Sequence, residues 1–155
     1  MSQIISIVYR PDSAPAKPAD HFTRLPLESV PLVAGYGIEG DRKGGHPDRH
    51  LNIMAQESLT ELGAEGFLVE PGQMGEQIIV GGLAQNLNNL PAGTQLQFGD
   101  QAIVEIVKPR TGCDRFEAIQ SKHPSAAAGR LGMMARVVAG GSIRVGDSIK
   151  IMEHV

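Results

Sequence analysis

A single cysteine, no tryptophan, two tyrosines and four phenylalanines are all that the 155 residues hold of these chemically distinctive types. With one thiol no disulfide can form within the chain, as expected in a reducing compartment. A resident iron–sulfur cluster, which takes about four cysteine ligands, is excluded too. Redox chemistry, if any, must draw its electrons from a partner or another cofactor. Scarce aromatics leave no platform for stacking bases, and 17 acidic against 14 basic residues, a net charge of -3, offer no general surface for nucleic-acid phosphates. No apolar run approaches membrane-spanning length. The opening stretch MSQIISIVYRPDS has neither the basic region nor the long apolar core of a secretory signal. The expectation is a cytoplasmic protein with no nucleic-acid or membrane partner, folded as one domain over residues 1–155.

Glycine and proline are plentiful instead, with 19 and 10 copies, and their scatter punctuates the chain as many short strands do. QIISIVY (Gln3 to Tyr9) reads as a strand, and the Pro-rich stretch after it as an irregular loop. ESVPLV (Glu28 to Val33) reads as extended, because Pro31 disfavours helix. MAQESLTELGAEG (Met54 to Gly66) carries helical periodicity with Gly66 as a stop, and EQIIVGG reads as a strand entering a turn. GTQLQFGDQAIVEIV predicts a hairpin about Gly99-Asp100, and GGSIRVGDSIKIM repeats the local pattern about Gly146-Asp147. Short helical stretches around Asp114 to Gln120 and Ser125 to Leu131 fill the interval. The pattern predicts a mainly β, barrel-like fold with a few short α-helices and the two hairpins at similar corners of one barrel.

Two segments invite chemistry. Cys113 follows a strand-like run, in KPRTGCDR, flanked by Arg110 and Arg115, whose charges favour the thiolate, and by Asp114, which opposes it. A lone cysteine is as often a buried small hydrophobe, and the residues alone leave both readings open. GIEGDRKGGHPDRH (Gly37 to His50) joins many glycines to Asp41, Arg42, Lys43 and Arg49, a composition suited to wrapping an anion, although surface loops of this kind are common. It lacks the Gly-Lys-Ser/Thr ending of a nucleotide phosphate loop. His46 and His50 have helical ligand spacing, but Pro47 between them argues against a helix and hence against a zinc site. Glu76, just before a strand, reads as turn punctuation.

GIEGDRKGG, RHLNIMAQESL, PGQMGEQIIVGGL, LPAGTQLQFGD, IVKPRTGC and GGSIRVGD occur in the order found in MOSC domains, the module also present at the C-terminus of molybdenum-cofactor sulfurases. The resemblance runs from about Ile4 onward. It implies a mostly β, barrel-like fold that binds the molybdenum cofactor, a phosphorylated pterin dithiolene, with Cys113 as the metal ligand and catalytic residue. By the same resemblance Gly40, Asp41, Arg42, Arg49 and Arg110 would line the cofactor site. The implied activity is that of a molybdenum-dependent oxidoreductase reducing N-hydroxylated compounds with electrons from external electron-transfer proteins. The alternative is a sulfur carrier that takes a persulfide on Cys113 from a sulfur donor without catalysis of its own. The chain departs from the usual family pattern in having Gln77 where Asn follows Gly-Glu, Gly112 where Pro precedes the cysteine, and Lys43 where His is frequent.

Overall fold

The computed structural model describes residues 2–11, 24–41, 45, 50–111, 120–122 and 124–152. Among the described residues eleven strands and one α-helix are the main elements: β1 (Gln3–Tyr9), β2 (Leu25–Leu27), β3 (Ser29–Val33), β4 (Gly37–Ile38), β5 (Leu51–Ala55), α1 (Gln56–Ala64), β6 (Ile78–Gly81), β7 (Gln95–Phe98), β8 (Ala102–Pro109), β9 (Met133–Ala139), β10 (Gly141–Arg144) and β11 (Ile149–Met152). Two 3-10 turns, Leu87–Asn89 and Pro124–Ala127, complete them. The fold is mainly β, as expected. Among the described residues no helix is long and apolar enough to cross a membrane.

The expected barrel is not formed. One sheet is eight-stranded, in the order β11-β7-β8-β9-β5-β6-β1-β2, and a second is three-stranded, β10-β3-β4, both open. Every pairing is antiparallel except β5 with β6. Closure would need β1 and β11 to zip together. The outer edge of β1 is instead divided: residues Ile7 to Tyr9 pair with β2, while Gln3 meets Ser148 in one isolated bridge. Around that bridge Ile4 N–H donates to Asp147 O at 2.9 Å, Gly146 N–H to Ile4 O at 2.8 Å and Ser2 Oγ–H to Ile149 O at 2.7 Å. The result is a seam where a ladder would be needed. A register shift between Ile4 and Ser6 bends β1 at the same place.

The first predicted hairpin forms, with Leu96 opposite Val104 and Phe98 opposite Ala102. The second does not. Gly146, at φ +95°, turns the chain, and Asp147 Oδ2 accepts from Arg144 N–H at 2.9 Å, but the flanking strands then part. β10 joins the small sheet, with Ile143 opposite Val30, and β11 joins the large one, with Ile149 opposite Phe98 and Ile151 opposite Leu96. Alternating Ile and Val demands a buried face without saying whose, and the partners offered by β3 and β7 decide it. The predicted helix also shortens. Met54 and Ala55 belong to β5, with Ala55 extended at φ -89°, ψ 137°, and the helix ends where Gly66 takes φ +95° and Phe67 N–H reaches back to Leu62 O. The expected helical stretch Ser125 to Leu131 is reduced to the 3-10 turn Pro124–Ala127, and Asp114 to Gln120 lies, but for Gln120, outside the described residues.

Two apolar clusters hold the layers. The larger gathers residues from both sheets about Leu51, Ile53, Phe98 and Val104, each completely buried. Fully burying side chains of this size stabilises the fold by roughly 1.5–3 kcal/mol apiece. The smaller lies under α1, where Leu59 and Leu62 pack with Met54, Phe67, Met74, Ile79, Ala127 and Leu131. It carries the turn on which the candidate site rests.

Gly132, leading into β9, has φ +82°, and a Cβ there would stand 2.0 Å from Ile53 O. Gly132→Ala is therefore expected to cost on the order of 3 kcal/mol or more, adding left-handed backbone strain to an unrelievable overlap with a neighbouring strand. A urea midpoint equal to that of the wild type would contradict this packing.

Candidate functional site

Of the residues singled out in the sequence, Gly40, Asp41 and Arg110 are described, whereas Arg42, Arg49 and Cys113 lie outside the described residues. Gly40 is exposed and turns at φ +80°, and Asp41 immediately after it is completely buried. Isolated burial of a carboxylate would be prohibitive, so its oxygens are satisfied from within. Oδ1 accepts from Arg10 N–H at 3.1 Å and Oδ2 from Gln77 Nε2 at 3.2 Å. The Asp41 backbone is held as well, its N–H by Ile38 O at 3.0 Å and its carbonyl by the Tyr36 hydroxyl at 2.6 Å. Asp41 is thus a fixed point at the end of this turn.

Gln77, which the sequence marks only as a departure from the family pattern, is the partner that makes this possible. It is buried, and both ends of its amide are used. Nε2 serves Asp41 while Oε1 accepts from Asn52 N–H at 2.7 Å. Its own backbone donates to Asn52 O at 2.9 Å and accepts from Val8 N–H at 2.8 Å, locking it between β1 and β5. These bonds also settle the amide orientation, since the reverse would set acceptor against carboxylate and donor against N–H.

Glu76, read in the sequence as turn punctuation, has its side chain in the interior, with 1% exposure. Gly72 and Gly75 take φ +88° and +83°, and the intervening backbone turns its N–H groups inward, as such nests do. The Glu76 carboxyl receives them, Gly72 N–H on Oε2 at 2.6 Å and Met74 N–H on Oε1 at 3.2 Å. Burial pushes this carboxyl above the usual carboxylate range, against the opposing pull of those N–H groups and of the Arg110 guanidinium. A signal was present in the sequence: an acidic residue two places before Ile78, the start of a strand whose four residues are all buried, has little room to reach water.

Arg110 ends β8. Its backbone N–H donates to Gly132 O at 3.0 Å, and its buried guanidinium donates through Nη1 to Met74 O at 2.5 Å. The segment Met74–Gln77 consequently touches both halves of the expected site, Asp41 through Gln77 and Arg110 through Met74. Gly40-Asp41 and Arg110, far apart in sequence, are joined by one four-residue stretch. His50 lies where the chain enters β5. It is buried, and its Nδ1 accepts from Val137 N–H at 2.9 Å, so the imidazole is neutral with its proton on Nε2. Among the described residues no group of three or more His, Cys, Asp or Glu is arranged to hold a metal ion.

The described residues near the Gly40 turn would not repel an anionic cofactor of the kind the resemblance implies. Neither Asp41 nor Glu76 exposes its carboxylate, each being turned to internal N–H donors, so neither adds surface charge that would repel a phosphate. Arg110 contributes a permanent cation, and Cys113 lies outside the described residues.

Two measurements check this geometry. Gln77→Leu removes the bond to Asp41 Oδ2 and strands the Asn52 N–H, and is expected to cost about 2–4 kcal/mol by chemical denaturation; a loss below about 0.5 kcal/mol would refute the bridging role. The second concerns pH. A carboxyl whose folded pKa lies above the usual 4.5 contributes stability that is complete below its unfolded pKa and lost as pH rises through the folded value. The stability of wild type relative to Glu76→Gln is therefore expected to fall as pH climbs from about 4 towards neutrality. A difference that stays flat or grows with pH would show that Glu76 is not held above its usual range.

Comparison with known families identifies the fold. The family model described as the MOSC domain matches residues 40–150. No curated protein matches the sequence. Among solved structures, the YuaD protein from Bacillus subtilis superposes with a TM-score of 0.77 at 19% identity, covering 100% of this chain and 98% of that one. YiiM from Geobacillus stearothermophilus gives 0.76 at 21% identity, covering 99% and 76%. YiiM from Escherichia coli gives 0.71 at 20% identity, covering 99% and 71%. At such identities the likeness is one of fold. With the family match spanning most of the chain, from the Gly40 turn through β8 to β11, the conclusion is that this protein belongs to the MOSC domain family.

Proposed function

We propose that this MOSC protein binds the molybdenum cofactor through the Cys113 thiolate and reduces N-hydroxylated compounds with electrons supplied by separate redox proteins. The observation that carries the reading is the tie made by Met74–Gln77 between the Gly40-Asp41 turn and Arg110, which brings the stems of both family signatures onto one support. In this reading Arg110, Arg42 and Arg49 supply positive charge for the phosphorylated pterin. Gly40 lets backbone approach the ligand closely and Asp41 holds the loop in shape. When bound, the cofactor supplies the two-electron redox chemistry that no side chain of this protein can. The chain's own part is to bind, orient and present a sulfur ligand.

Expression in a host that makes the cofactor, followed by elemental analysis, tests the proposal. Wild type is expected to carry about one molybdenum per chain and Cys113→Ala to lose it, as when a metal site is deprived of its thiolate. Equal content in the two proteins, or content far below stoichiometric in wild type, would sink the ligand assignment. Were intact wild type instead to show a reducible gain of one sulfur atom, absent from Cys113→Ala, persulfide carriage would replace it.

A further inference from the structure

We propose that His50 makes the joint between the two sheets pH-sensitive, closed while its imidazole is neutral and loosened once Nδ1 takes a proton. The inference is independent of what the Gly40-Asp41 turn binds. His50 stands just before β5, and its buried side chain takes the place of a strand along the edge of β9. Its backbone N–H donates to Ala135 O at 3.0 Å, and its Nδ1 accepts from Val137 N–H at 2.9 Å. Val137 O, on the same edge of β9, accepts from Gly35 N–H at 3.0 Å, in the turn between β3 and β4. β4 closes in from that side, where a Cβ on Gly37 would stand 2.7 Å from His50 O. The two polar groups of one residue, Val137, thus bind the large sheet to His50 and to the small sheet's turn. Tyr36, next to Gly35, donates its hydroxyl to Asp41 O at 2.6 Å and takes Gly45 N–H on its carbonyl at 2.8 Å. The joint therefore leads directly to the Gly40-Asp41 turn.

An imidazole accepts a hydrogen bond only through an unprotonated ring nitrogen. The imidazolium carries N–H on both nitrogens, and a half-turn of the ring would bring a C–H to the place of Nδ1. No orientation of the charged ring serves Val137 N–H, which is then left facing a group that cannot accept. Among the described residues, the charged and titratable groups around His50 are few. β4 and β5 carry none, and residues 34–36 offer only Tyr36, whose hydroxyl is bonded to Asp41 O. β9 offers Arg136, whose Nε lies 3.3 Å from Glu105 on β8. Beyond β4, Glu39 is exposed, and the Asp41 carboxylate is turned to Arg10 N–H and Gln77. In the unfolded chain the ring takes its proton freely below about pH 6.5, whereas in the folded chain the proton displaces the Val137 bond. The bond's contribution is therefore complete above that pH and is lost as pH falls below it.

The test uses the full chain without added cofactor, so its outcome is separate from that of the molybdenum measurement. NMR follows the His50 ring and, with exchange corrected for its intrinsic pH dependence, the protection of single amides between about pH 7.5 and 5. The Val137 and Gly35 amides are expected to lose at least about tenfold in protection over that range, with the midpoint of the ring's titration. Amides of β7, two strands away from β9, should keep theirs. His50→Asn puts an acceptor oxygen close to the place of Nδ1 and takes no proton. Its Val137 protection is expected to stay constant with pH, which sets His50 apart from the chain's other histidines. Should His50→Asn not fold, agreement of the two midpoints in wild type decides. An equal loss in His50→Asn, a uniform loss that includes β7, or a ring that titrates while Val137 stays protected would overturn the proposal. So would a ring that remains neutral throughout.

Discussion

A carboxylate cannot be taken out of water alone, and Asp41 is completely out of water. Much of the architecture near the candidate site follows from that constraint. A backbone donor comes from the end of β1 through Arg10, and a side-chain donor from Gln77 just before β6. Gln77 can face Asp41 only because Asn52 N–H in β5 takes the other end of its amide. Three strands, β1, β5 and β6, must therefore be in register before the Gly40-Asp41 turn has a place to sit. The glycine-rich loop looks free in the sequence, yet its stem is among the most constrained points of the fold.

The same reasoning gives the departure at Gln77 a physical meaning. Asparagine, with one methylene fewer, has a shorter reach between backbone and amide. The longer side chain here spans from the β5 backbone to Asp41 while keeping both polar ends satisfied. The departure is thus integrated into the interior. It bears on how firmly the turn is held.

Much of the fold was legible wherever a segment's own pattern determined its state. Gln3 to Tyr9 and the Leu96–Val104 hairpin are found as expected, because strict alternation about a Gly-Asp turn has few other solutions. Partner choice was not legible. The segments on either side of Gly146-Asp147 look like a hairpin and are divided between two sheets, and the barrel failed for a related reason, since β2 occupies part of the edge that closure would need. In the site, arginine and glycine advertised themselves by composition, whereas Glu76 and Gln77 act through buried hydrogen bonds that leave no periodic trace.

The seam between β1 and the turn before β11 bears on how the protein is made. Ser2 and Ile149 are bonded across 147 positions of sequence, and Ile4 exchanges hydrogen bonds with Gly146 and Asp147. During synthesis β1 emerges with its inner edge waiting for β6 and part of its outer edge waiting for the residues of the turn before β11. Until those arrive, an apolar edge stands open to the wrong neighbour, and pairing at such separation is slow to form by its topology. Folding is therefore expected to close this seam late, and an open strand edge of this kind invites mispairing until it does.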